Sequence, residues 1–140
     1  MRLGATFYVK NSYEAVECYK EAFGLTLGYH LSYDDIEGLK AWGLTVDDDY
    51  KPHKGYFHAA LMHDSEEVFA VSGECENGWV LTSGHNAQLA LNLGSEEAVK
   101  KAFSVLSEDA VFVGSVGSAD WNACTAEVID KYGIWWFLCI

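Results

Sequence analysis

Hydrophobic and polar positions alternate through LGATFYVK (3–10), the period-two signature of a strand. The spacing then lengthens. Ala15, Val16, Tyr19, Ala22 and Phe23 form one apolar stripe of a helix that Asn11 or Ser12 can cap, with Glu14 three residues after Asn11. Gly24 stands where a left-handed helix stop is expected. The spacing predicts a strand over 25–33, a weaker one over 41–47, and an exposed acidic loop, DDDYKPHKG, that carries the only proline. Strands over 55–62 and 67–72 follow, joined by the turn residues HDSE. Glycine-rich residues 73–85 read as a connection.

After it the pattern starts again. A strand over 86–93 precedes a helix over 96–107, capped by Ser95, with Val99, Ala102, Phe103 and Leu106 inward. Strands around 111–117, 122–129 and 134–140 complete the second half. The two helix phrases, NSYEAVECYKEAF (11–23) and GSEEAVKKAFSVL (94–106), share S-x-E-A-V at one constant offset. The chain is thus one α+β domain over 1–140, made of two tandem βαβββ modules, about 1–72 and 86–140, connected by 73–85. One such module cannot cover both faces of its sheet, so curved mixed sheets from the two modules are expected to pack around a cavity.

Strand parity separates the faces. Phe7 and Val9, then Leu89, Leu91 and Leu93, then Ile134, Trp136, Leu138 and Ile140 face the helices. The opposite side carries Thr6 and Tyr8, Gln88, Ala90 and Asn92, and Trp135, Phe137 and Cys139. Plain solvent exposure would put more charge there; amides and hydroxyls interleaved with aromatics suit a partly dry ligand pocket.

Composition narrows the guests. Half of the 140 residues are hydrophobic, and 21 acidic against 9 basic side chains leave a formal charge of −12. Such a chain repels phosphate backbones and has no basic run longer than Lys100-Lys101, which excludes nucleic acid as a partner. The same charge favours cationic small molecules, although acidity also serves solubility. There is no signal-type apolar segment and no run long enough to span a membrane. Cys18, Cys75, Cys124 and Cys139 show neither a C-x-x-C pair nor zinc-like spacing, as expected of free thiols in the cytoplasm.

FYVKNSYEAVECYKEAFGLTLGY, YFHAALM and DKYGIWWFLCI, spread over essentially the whole chain, resemble the vicinal-oxygen-chelate superfamily: glyoxalase I, extradiol dioxygenases, and bleomycin- and fosfomycin-resistance proteins. The wording is most similar to the PhnB-like branch, with Lys131 replacing the usual proline. The resemblance implies a cavity where enzymatic members hold a divalent metal through four His or Glu side chains, which chelates two substrate oxygens as a Lewis acid. Carried onto this chain, those positions fall at Gly4, about Ala70, Gln88 and Phe137. None supplies the carboxylate or imidazole such an ion wants, so no metal or other cofactor is expected.

Among the histidines, His53 and His63 sit in polar loops or turns and His85 just ahead of a strand; His30 and His58 lie in strands. His58, in YFHAALM, is either a hydrogen-bonding pocket residue or an ordinary strand histidine. Trp121, in ADWNA, can cap a cavity or simply pack; Trp42 and Tyr29 can line its mouth. Glu74 is a loop acid, and Asp130 shapes the last turn. No nucleophile elbow or phosphate-cradling loop is present. The reading is a metal-free, cytoplasmic, homodimeric small-molecule-binding protein, PhnB-like, that sequesters a cationic or aromatic ligand. Its cavity would be lined by Thr6, Tyr8, His58, Gln88, Asn92, Trp121, Trp135 and Phe137. The alternative is a metal-dependent lyase, isomerase or dioxygenase with a rearranged site, against which the four replaced ligand positions weigh. A regulatory module with a vestigial cavity is a third reading.

Overall fold

The computed structural model describes residues 1, 3–74 and 80–140; Cys75 and the rest of 75–79 lie outside them. Two short polar residues start the helices. Asn11 Oδ1 accepts from the Glu14 backbone N–H at 3.4 Å, while the Asn11 amide donates to Glu14 Oε2 at 2.8 Å. That reciprocal pair opens α1 (Ser12–Phe23), so Asn11 is the cap. Ser12 is buried instead, its hydroxyl accepting from the Tyr56 N–H at 2.8 Å. Gly24, at φ 67°, ends α1 in the left-handed region. In the second half Ser95 Oγ accepts from Ala98 N–H at 3.1 Å and starts α3 (Glu96–Leu106).

Strands β1 (Thr6–Tyr8), β2 (Thr26–Ser32), β3 (Tyr56–His63) and β4 (Glu66–Ser72) form one mixed sheet in the order β1-β4-β3-β2. Strands β5 (Leu89–Asn92), β6 (Phe112–Ala119), β7 (Asn122–Ile129) and β8 (Trp135–Cys139) form a second, in the matching order β5-β8-β7-β6. In each, the first strand runs parallel to the last and the other neighbours are antiparallel. The recurrence of order and direction is the doubled βαβββ pattern in space. Neither sheet closes on itself.

One predicted element differs. Residues 41–47 form no strand; a short helix, α2 (Ile36–Ala41), precedes them. Asp35 caps it by accepting from Gly38 N–H at 2.9 Å, and Leu39 is its buried residue. Trp42 N–H bonds back to the Gly38 and Leu39 carbonyls and Gly43 turns away at φ 84°. One buried residue gives no readable helical stripe, whereas Trp42, Leu44, Thr45 and Val46 have strand-like chemistry without a partner strand.

The chain divides into two compact units, residues 1–16 with 26–81, and residues 17–25 with 82–140. The first is filled by Phe7, Val9, Val16, Leu61, Phe69 and Val71, all buried. In the second, Val99, Ala102 and Leu106 of α3 and Val128, Trp136 and Leu138 of the sheet are buried. The last turns of α1 belong to this unit: Tyr19 and Phe23 pack on Trp136 with ring centroids 5.5 and 5.0 Å away.

Candidate functional site

In the second unit, alternation along β8 sends Trp136 and Leu138 into the core and leaves Trp135, Phe137 and Cys139 half-buried on the other face. β7 runs beside it with Glu127 opposite Phe137 and Ile129 opposite Trp135. β5 sets Ala90 against Phe137 and Asn92 against Cys139. Glu127 therefore stands in the middle of this face. Its Oε1 accepts two hydrogen bonds, from the Gln88 side-chain amide at 2.9 Å and from the Trp135 indole N–H at 2.8 Å. Trp121, in the turn between β6 and β7, stacks on Phe137 at 5.7 Å and 26° while remaining 68% exposed.

Of the sequence-predicted residues, Gln88, Trp121, Trp135 and Phe137 thus gather around one carboxylate. Asn92 lies on the same strand face, but its Oδ1 accepts from Gly94 N–H at 3.0 Å and shapes the turn into α3. Glu127 was missed by sequence reasoning. The available signal was its parity: it alternates with buried Ala126 and Val128, so it had to share the face of Phe137.

The first unit carries its own group. The registers Thr6 to Ala70 and Ala60 to Ala70 put Thr6, Tyr8, Ala60 and His58 on one face of the sheet. Thr6 and Tyr8 are exposed and His58 is half-buried. His58 lies 5.4 Å from the Trp42 ring and 6.3 Å from Tyr29. Those two rings stack almost parallel at 5.7 Å, locked by a 2.6 Å hydrogen bond from Trp42 Nε1 to the Tyr29 hydroxyl. Both remain about half exposed, so this aromatic tray at the β2 bulge is surface rather than core.

The buried acid of the second unit is structural. Asp130 Oδ1 accepts from the Tyr132 and Ile134 N–H groups at 2.9 and 3.0 Å, as its place in DKYG predicts. Its Oδ2 takes two further bonds at 2.8 Å, from the Tyr19 hydroxyl and Trp136 Nε1. Burial still pushes the carboxyl above its ordinary range, opposed chiefly by the Trp136 bond. The Tyr19 phenol is raised well above its usual value by burial and then by the Asp130 charge.

The four positions that would ligate a divalent ion do not fit one. Gly4, Ala70 and Phe137 have no side-chain donor atom, Phe137 is packed under Trp121, and Gln88 offers only a neutral amide oxygen, its nitrogen donating to Glu127. Among the described residues no group of three or more His, Cys, Asp or Glu side chains could hold a metal. Cys124 and Cys139 are free thiols. No described helix is long and apolar enough to cross a membrane.

Two open four-stranded mixed sheets, each built by a βαβββ module, are the architecture of the glyoxalase/bleomycin-resistance-like fold. No protein-family model matches the sequence, and no curated protein matches it. Solved structures do. PA1353 from Pseudomonas aeruginosa aligns over 99% of this chain and 96% of its own at 22% identity and a TM-score of 0.75. A PhnB protein from Bacillus cereus aligns over 99% and 98% at 18% identity and 0.70. The fosfomycin resistance protein FosX from Listeria monocytogenes, complexed with Mn(II) and 1S,2S-dihydroxypropylphosphonic acid, aligns over 99% and 90% at 11% identity and 0.62.

Proposed function

We propose that this chain is a PhnB-like, metal-free binding protein that holds a small organic molecule against the aromatic, polar-edged faces of its sheets, acting as a homodimer in the cytoplasm. One observation carries the reading: two of the positions where a metalloenzyme of this fold would place ligands carry no carboxylate or imidazole, Phe137 being stacked on Trp121 and Gln88 being a neutral amide that donates to Glu127. A flat ring can stack on the exposed Trp121 indole, and amides and carboxylate at its rim supply direction. The half-exposed Tyr29 and Trp42 rings beside His58 offer a second aromatic surface.

A metal-dependent lyase or isomerase is the competing reading, favoured by the Mn(II) in the FosX neighbour. Metal analysis of the purified protein separates the two. Substoichiometric divalent metal, together with tryptophan quenching by planar organic probes, supports binding without metal; a stoichiometric ion that survives dialysis would overturn it.

A further inference from the structure

Glu127 has a preparation that a plain surface acid lacks. Both hydrogen bonds it accepts fall on Oε1, and both donors are neutral side chains, the Gln88 amide just ahead of β5 and the Trp135 indole of the adjoining β8. Two donors on one oxygen fix the plane of the carboxylate and leave Oε2 the oxygen without a protein donor. No Lys, Arg or His forms an ion pair with Glu127 among the described residues, so the negative charge is held in place without a counter-charge. Beside it, across the β7–β8 pair, is the Phe137 ring that Trp121 covers.

A half-buried carboxylate with a fixed orientation, next to two stacked π-faces, is complementary to positive charge on a flat apolar body. The carboxylate accepts a charge-assisted N–H bond, and the aromatic faces add quadrupole attraction. The formal charge of −12 draws cations toward the chain at long range. An anionic guest would meet an uncompensated charge at the centre of the face.

We infer that Glu127 is the residue that selects the guest, taking flat aromatic rings that carry a protonated alkylamine through Oε2, with Gln88 and Trp135 as positioning residues. This rests on the binding reading above and adds to it the class of ligand and the group that recognises it.

Calorimetric titration with three indoles of one ring and different charge tests it: tryptamine, indole and indole-3-propionate. Wild-type protein is expected to bind tryptamine about tenfold or more tightly than indole, and the propionate more weakly still, the span of one charged hydrogen bond. Glu127→Gln keeps an oxygen to accept from Gln88 and Trp135, removes the charge and puts an amide nitrogen where Oε2 was. In that variant the advantage of tryptamine over indole should disappear. Unchanged tryptamine binding in Glu127→Gln would overturn the assignment while leaving the binding reading in place. Equal affinity of the wild type for tryptamine and indole would do the same without any variant, so the test survives if Glu127→Gln fails to fold. Silence from all three probes on the wild type would overturn both readings together.

Discussion

Asp130 shows how much one side chain can organise. Its four donors come from a turn, a helix and a strand: the Tyr132 and Ile134 amides, the Tyr19 hydroxyl and the Trp136 indole. Removing the acceptor strands buried donors, so Asp130→Ala should cost about 3 kcal/mol or more, and Tyr19→Phe about 1–2 kcal/mol, in denaturant unfolding. The pH dependence has a definite sign. Burial raises the folded carboxyl above its unfolded value, so the folded chain holds that proton to higher pH. The stabilisation from this group is full below the unfolded value, about 3.9, and is lost as pH rises through the raised folded one. The stability of wild type relative to Asp130→Asn should therefore be greatest at the acidic end of a titration and decline toward neutrality. A difference that grew with pH would contradict the sign. The turn role of Asp130 was legible from DKYG; the bonds to Tyr19 and Trp136 were not, because hydrogen bonding between distant residues leaves no local pattern.

At the scale of elements, the repeated S-x-E-A-V phrase predicted two helices in matching places, and α1 and α3 fill them. Their caps differ in kind. Ser95 caps α3 by itself, whereas α1 uses Asn11 and frees Ser12 to satisfy Tyr56. Ser95→Ala should lower stability by about 1 kcal/mol. Ser12→Ala should cost more than an exposed cap does, because it removes a buried hydroxyl that accepts from the Tyr56 N–H. Parallel thermal melts of the two variants check the order. The helices and most strands were readable because each buries one face at a regular period. α2 was not, since a single buried leucine defines no period. Glu127 falls between: the strand over 122–129 is legible in the sequence, but an acid at a non-core parity position reads as plain solvent-facing until the strand's neighbour is known. The register of β7 on β8 sets that acid opposite Phe137.

The whole molecule is where the sequence speaks least. The fold was legible from the doubled pattern and from family wording spread along the chain, and both sheets repeat one strand order. Assembly follows from neither. A homodimer is the expectation from the resemblance, and sedimentation at micromolar concentration should show twice the mass of a 15.5 kDa chain. A single-chain mass would reject it. Ligand affinity should fall as salt is raised for cationic guests and stay level for neutral ones, since the net charge acts at a range that salt screens.

The end of α1 has a consequence for how the chain is made. Tyr19 finds its acceptor 111 residues further along, and Phe23 packs on the similarly distant Trp136. During synthesis these rings emerge more than a hundred residues before Asp130 and Trp136 do. Closing so large a loop carries an entropic cost before any contact offsets it, which slows folding. A translation product stopped short of Asp130 would keep the apolar end of α1 uncovered, a surface that chaperones hold and proteases cut. A fragment that begins at residue 86 would have the reverse defect: Trp136 without its aromatic cover and Asp130 with one donor fewer. The gene can repeat a module, but a ribosome cannot deliver this one in halves.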